Sequence, residues 1–299
     1  MNGVSSPRKG QTLKFFEWSY GEVPVPNLLT IGALTIGLAA GAGLLWAWLG
    51  NVVIVVMLAL VLGLLAVQQA TIYYTHHQIE ALHSIHRLID LRAPLPAFRS
   101  WNITPDLAAV ITGLILERKP QLVVEVGGGL SSIVAGYLAE KQGGRIVAFD
   151  HLAEFAGKTA DTIAQHGLDG VVEIRHAPLT PVKLGGQTWQ WYDLAQFEDL
   201  HGIDLLFIDG PPNTTQAMAR YPALPLLFDR LSENAVIVLD DAGRVAEKRA
   251  VARWLEEFPT LSAERLITKR GSVVLRRETA SPAGAMPVPG LPPRRRREG

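Results

Sequence analysis

Two uninterrupted apolar blocks dominate the first quarter of the chain, at Leu28–Leu49 and at 52–71. Each holds roughly 20 residues, enough at ~1.5 Å per residue to cross a hydrocarbon core of ~30 Å. No Asp, Glu, Lys or Arg occurs from Val23 to Ile79. Gly50-Asn51 between the blocks is turn chemistry, so they predict a tight transmembrane helical hairpin with both flanks on one side. Residues 72–92 continue in helical rhythm, with Ile72, Ile79, Leu82, Ile85 and Ile89 forming an apolar stripe. Ala93-Pro94-Leu95-Pro96 breaks that helix.

Beyond the break the period changes. Thr104-Pro105-Asp106 starts a helix running to about 117. Short apolar runs then predict strands at 122–126, 145–150, 171–175, 203–209, 235–240, 263–268 and 272–276. Helices are predicted between them at about 131–142, 152–166, 222–231 and 245–257. All-apolar strands alternating with helices imply an α/β fold whose parallel sheet is buried on both faces. Only Lys269-Arg270-Gly271 separates the last two strands, too few residues for a crossover, so the sheet ends in an antiparallel hairpin. The expected divisions are an N-terminal segment (1–26), the hairpin (27–72), a juxtamembrane helix and linker (73–99), the α/β domain (100–277) and a Pro/Arg-rich disordered tail (278–299).

Charge sets the orientation. Arg8, Lys9 and Lys14 precede the hairpin, Arg87, Arg92 and Arg99 follow it, and the turn carries none. The positive-inside rule places the domain and both termini in the cytoplasm of a cell-membrane protein with two helices. Trp18, Tyr20, Trp46, Trp48, Tyr73 and Tyr74 stand where interfacial aromatics are expected. Ala33, Gly37, Ala39, Ala40 and Gly41 offer a small-residue face, either for the second helix or for a homodimer through the membrane or juxtamembrane helices. His76, His77, His83 and His86 read as headgroup-level polar residues, with a metal site as the competing reading. Arg294–Arg297 reads either as a contact for anionic lipid or as a solvated tail. With 28 basic and 28 acidic residues the chain lacks the basic excess of a nucleic-acid binder, and without cysteine it has no disulfide or thiolate metal site.

The chemistry concentrates at strand ends. The first strand leads into Glu125-Val126-Gly127-Gly128-Gly129-Leu130-Ser131-Ser132, and glycines there let the backbone turn sharply and approach a ligand. A helix N-terminus follows, which favours an anionic group. Asp150 closes the second strand, placed to accept hydrogen bonds from ribose hydroxyls. A glycine loop with an acid ~20 residues later signals an adenosine-containing ligand. That spacing does not separate a dinucleotide from other adenosyl cofactors. Asp209, Asp240 and Asp241 end neighbouring strands, where three carboxylates offer oxygen ligands to a divalent cation such as Mg2+. The competing reading has one acid orienting substrate while the others cap helices or pair with Arg244 or Arg220. His151 and His201 are candidate bases that read equally as surface residues. Trp189, Trp191 and Tyr192 line an acceptor pocket or pack as core or lid.

These motifs give a resemblance. Glu125, Gly127 and Gly129, the acid Asp150, Ile208-Asp209-Gly210-Pro211-Pro212, Tyr221-Pro222-Ala223-Leu224-Pro225 and Leu239-Asp240-Asp241 resemble the class I methyltransferases dependent on S-adenosylmethionine (SAM), most of all methyltransferase family 24. It covers about residues 100–277 and implies a Rossmann-like seven-stranded sheet. It further implies that Glu125, Gly127, Gly129 and Ser131 shape the pocket for the methionine part of SAM. Asp150 would hold the ribose, with His176 near the adenine and Asp209 at the cofactor. Ser131 stands where the fuller motif has a third glycine, and no acid or amide follows the third strand near His176. Asp209, Asp240 and Asp241 are similar to the magnesium-holding acids of catechol-type O-methyltransferases, with Asp241 where those carry Asn. Asp209 and Asp241 are the catalytic candidates. The expected activity is O-methylation of a small or lipid-linked acceptor by a bilayer-anchored enzyme. Two alternatives stay open: an oxidoreductase using NAD(P) or a nucleotide-sugar, and a catalytically idle membrane scaffold.

Overall fold

The computed structural model describes residues 28–49, 52–98 and 102–277. The basic N-terminal flank, Gly50-Asn51, Arg99 and the arginine-rich tail named above lie outside the described residues, as do the side chains of Trp46 and Trp48.

Helix α1 spans Leu28–Leu49 and helix α2 spans Val52–Leu88. The second apolar block and the juxtamembrane stripe are thus one continuous helix, because no glycine pair or proline interrupts 64–88. Within the described residues one helix, Ile54–Leu88, is long and apolar enough to cross a membrane by length and composition, and its apolar part is not buried in the protein. Thr35, Leu38, Ala39 and Ala42 of α1 face Val55, Leu58, Ala59 and Leu62 of α2 across the seam. Gly37 and Gly41 take no part in it, since a Cβ on either would meet nothing within 4 Å. The apolar stripe is used only at its lower end. Ile85 and Ile89 are buried against the domain, whereas Ile72 and Ile79 stay exposed.

The domain follows as α3 (Pro105–Arg118), β1 (Leu122–Val126), α4 (Leu130–Gln142), β2 (Arg145–Asp150), α5 (Ala153–Gln165), β3 (Val172–His176), β4 (Leu179–Leu184), β5 (Gln187–Tyr192), β6 (Ile203–Ile208), α6 (Ala223–Leu227), β7 (Leu231–Leu239), α7 (Val245–Glu257), β8 (Leu261–Leu266) and β9 (Ser272–Arg277). A 7-stranded sheet has the order β3-β2-β1-β6-β7-β9-β8. Every neighbouring pair from β3 to β7 is parallel, and β9 lies antiparallel between β7 and β8. The expected seven-stranded α/β sheet with an antiparallel end is present. Period-two alternation divides each strand between two cores. Val124 and Val126 face β5, α6 and α7, while Val123 faces α3 and α4.

The segment between β3 and β6 contains a hairpin, β4–β5, whose Trp189, Trp191 and Tyr192 are buried, which is the core packing among the readings left open for them. The helix expected at 222–231 shrinks to α6 plus a 3-10 turn at Phe228–Arg230. Pro225 stands in its first turn, where a missing N–H is tolerated, so the shortening is at the far end, where β7 claims the chain from Leu231. The cap of α3 also differs. Thr104 has the extended backbone of a cap but its hydroxyl makes no capping bond. Asp106 Oδ1 instead accepts from Leu107 N at 2.9 Å.

Candidate functional site

All candidate acids except Glu125 end their strands on one edge, the carboxyl edge of the parallel strands. This is the edge at which open α/β sheets bind ligands. Alternation puts Glu125 on the α4 face of β1, in step with Val123 and 2 % exposed. Ser131 Oγ donates to Glu125 Oε1, and Ser132 Oγ donates to Oε2 at 2.5 Å. Ser132 Oγ also accepts from Gly129 N at 3.2 Å. Glu125 and Ser131 thus tie the glycine bend to the first turn of α4 from beneath. Burial pushes the Glu125 carboxyl up to about 7, with the two serine hydroxyls pulling the other way.

The bend itself needs glycine. Gly127 sits at φ +100, and a Cβ there would lie 2.9 Å from Gly210 N. Gly129 is open by contrast, since its Cβ would meet only Asn102 Oδ1, at 3.7 Å. Gly127 N and Gly128 N both donate to Phe149 O at 2.9 Å, which brings the bend beside Asp150, the next residue. Asp150 Oδ1 accepts from Leu152 N at 2.8 Å and lies 3.5 Å from His151 Nδ1. Burial raises the Asp150 carboxyl above the usual range, and His151 and His176 partly offset it. His176 is the register partner of Asp150 on β3 and is exposed, in reach of a ligand lying across both strand ends.

One carboxylate oxygen from each of Asp209, Asp240 and Asp241 lies within 4.8 Å of the others, so the third expected cluster also assembles. A guanidinium already sits in it. Arg220 Nη2 donates to Asp209 Oδ1 at 2.9 Å and to Asp241 Oδ2 at 2.8 Å, and Nη1 donates to Asp240 O at 2.9 Å. Arg244 reaches Asp241 at 2.9 Å and Arg270 reaches Asp240 at 3.7 Å. Three acids therefore face three arginines, so the donor set fits charge neutralisation by arginine better than a hydrated divalent ion, which demands open oxygen ligands. Burial pushes Asp209 well above the usual carboxylate range, against the pull of Arg220. Asp240 is raised to about 6 by burial and by its neighbour Asp241. Asp241 holds φ +56, a left-handed conformation that a short polar side chain tolerates.

Tyr192 belongs to this site, and nothing local in the sequence settles that. It ends β5, 1 % exposed, and a Cβ on Gly210 would fall 2.1 Å from its hydroxyl oxygen. Its hydroxyl is raised above the ordinary tyrosine value by burial, and further by Asp150, Asp209 and Glu125 around it. His151 packs edge-on to the Tyr192 ring, with centroids 6.1 Å apart. His151 is therefore part of the site wall, whereas His201 is exposed at the opposite edge, just ahead of β6. The histidines of α2 join no metal-binding group among the described residues.

Residues 124–242 match a family model described as a methyltransferase domain. No curated protein matches the chain. Among solved structures, it resembles an O-methyltransferase from Bacillus cereus in complex with SAH, at 18% identity over 67% of this chain and 90% of that one, TM-score 0.46. It also resembles an SAH-bound methyltransferase from Podospora anserina (16%, 68% and 88%, TM-score 0.48) and an O-methyltransferase from Streptomyces achromogenes in complex with SAM (17%, 67% and 90%, TM-score 0.45). The family match is confined to residues 124–242 of the α/β domain, and the enzyme class it supports is that of the methyltransferases.

Proposed function

We propose that the protein is a membrane-anchored, SAM-dependent methyltransferase that methylates an oxygen of a small or lipid-linked acceptor. One observation supports the cofactor reading: Gly127 and Gly128 both bond the residue before Asp150, so the glycine bend and the acid expected to hold the ribose stand side by side. Gly127, Gly129 and Asp150 would hold the adenosyl group, with His176 beside the adenine and Tyr192 and Asp209 beside the methionine end. SAM supplies a sulfonium-activated methyl group. The protein then needs to supply alignment and, for a hydroxyl acceptor, a place for its proton. Asp209 suits the second task, because burial raises its proton affinity well above the usual carboxylate range while Arg220 holds its orientation. Asp241 serves as a positioning residue, holding Arg220 from the other side.

Anchoring rests on the apolar length of α2 and on the absence of acidic or basic residues from Val23 to Ile79. A two-helix hairpin with the domain and both termini cytoplasmic is the arrangement that the charge pattern favours.

Calorimetry on the purified chain separates the readings. Heat is expected from SAM and SAH and none from NAD. Asp150→Ala is expected to weaken SAM by about tenfold or more, the scale of one lost charge-assisted hydrogen bond. Heat from NAD alone would select an oxidoreductase, and silence from all three would select a scaffold. Because arginine fills the acidic cluster, a labelled-methyl assay is expected to give the same rate with and without EDTA. A rate abolished by EDTA and restored by Mg2+ would return the cluster to a metal site.

A further inference from the structure

We infer that the ligand-bearing edge of the sheet faces the bilayer, so that the acceptor is an amphiphile taken from the lipid phase with its methyl-accepting oxygen at headgroup level. The inference rests on the proposed methyltransferase reading for the word acceptor, but its geometry stands on the docking of α2 alone.

Helix α2 is pinned to the domain at two levels. Lys141 Nζ, in the last turn of α4, donates to Leu88 O at 2.9 Å and to Asp90 at 3.2 Å. Arg92 N donates to Tyr137 OH at 2.8 Å. The end of α4 leads directly into β2, so these contacts mark the amino edge of the sheet. Ten residues earlier, Gln78 Oε1 accepts from Asp106 N at 3.3 Å. Asp106 Oδ2 in turn accepts from Lys269 N at 2.6 Å, in the β8–β9 turn. That turn lies at the end of β7, where Ala242 N donates to Gly271 O at 2.9 Å. Gln78 therefore stands level with the carboxyl edge. Helix α2 runs antiparallel to β1, and everything before Gln78 projects beyond the edge that holds Asp150, Asp209 and Asp241. From Gln78 back to Ile54 the helix rises ~36 Å at ~1.5 Å per residue. Gln68 and Gln69, which end the wholly apolar stretch, stand ~15 Å above the edge by the same rise.

A second observation agrees. Within residues 102–277 the large apolar side chains left exposed are Leu152 at 45%, Phe155 at 45%, Val245 at 64% and Ile267 at 69%. Exposed apolar side chains scattered singly would mean nothing. These follow β2, β7 and β8 at their carboxyl ends, and they flank the cleft on both sides. Lys269 is exposed beside Ile267, and the Lys158 ammonium lies 5.2 Å from the Phe155 ring centre. Apolar tips beside the cation of Lys269, and beside Lys158 paired with Glu154 at 2.5 Å, suit a headgroup boundary.

The chain has no cysteine, so single labels are clean. Phe155→Cys, Ile267→Cys and, on the amino edge, Glu117→Cys would each carry an environment-sensitive fluorophore in the full chain. The protein is reconstituted into vesicles of phosphatidylcholine and phosphatidylglycerol containing a headgroup-level nitroxide lipid. Quenching at 155 and 267 is expected to exceed that at 117 several-fold. Equal quenching at all three, strongest quenching at 117, or failure to enter the vesicles would each overturn the inference. SAM calorimetry on the same vesicles keeps the two readings apart. The expected quenching without SAM heat sinks the methyltransferase reading and leaves the orientation. SAM heat with inverted quenching does the reverse. Labelled methyl from SAM should then appear in the organic extract of native membranes; label found solely in the aqueous extract would refute a lipid-phase acceptor.

Discussion

Replacing Arg220 with methionine is expected to lower the stability of the domain at pH 8 by about 3–5 kcal/mol, the cost of breaking a buried ion pair by removing one partner. The arginine is 4% exposed and binds Asp209, Asp241 and the Asp240 carbonyl at once. Without it, two inward carboxylates lose their nearest cation. Methionine fills a similar volume, so the loss reads electrostatics more than packing. The penalty should shrink at pH 5, because acids whose proton affinity burial has already raised can take up protons there and shed the charge. Arg220→Lys should recover only part of the loss, since one ammonium cannot reproduce the planar fork across two carboxylates and a carbonyl. Thermal or denaturant unfolding of the full chain in detergent checks this. A parent-like midpoint for Arg220→Met at pH 8 would show that the cluster is held some other way.

Glu125→Gln should produce the opposite sign. In the folded chain the Glu125 carboxyl titrates near 7, against 4.5 for an ordinary glutamate. The folded state therefore binds the extra proton between those values. Native stability is unaffected by this group below about 4.5 and declines as pH rises through about 7. The gap corresponds to at most about 3 kcal/mol above neutrality. Glutamine mimics the protonated acid and can still bond Ser131 and Ser132. The variant should match the parent at pH 4.5–5 and melt higher at pH 8. Equal melting at both pH values, or a loss at pH 8, would mean the carboxylate is stabilised as the anion. Where the cofactor brings a positive charge near this acid, SAM should narrow the difference between the two proteins.

Much of this site could be read from the chain. Strand ends are marked locally: a run of apolar residues stops, and an acid or glycine follows. Glu125, Asp150, Asp209, Asp240 and Asp241 were legible for that reason, and the β1–β2 adjacency follows from the right-handed crossover of parallel strands. The roles were less legible. Glu125 faces inward to two serines because of strand parity and the placement of α4, so it braces the bend from below. Pairing of the acids with Arg220 or Arg244 was one of two readings the sequence left open, and because the loop eleven residues past Asp209 has no periodic signal, only the structure selects it. Tyr192 follows Gly185-Gly186, a two-residue hairpin signal that the strand assignment from the sequence did not take up, and both glycines hold the positive φ such a turn needs. Only the pairing of β4 with β5 carries its hydroxyl to Gly210.

By itself the amino-acid sequence determined the apolar helical segment, the seven-stranded α/β pattern, the glycine bend and the acids at strand ends, because each is written in residues a few positions apart. Tertiary structure alone decided which cation neutralises the acids, which aromatic side chain walls the cleft, and which way the sheet points relative to α2. Those depend on contacts between residues tens to hundreds of positions apart, such as Gln78 with Asp106 and Asp106 with Lys269. Periodicity reports the face a side chain takes on its own element; it carries no record of what another element brings to that face.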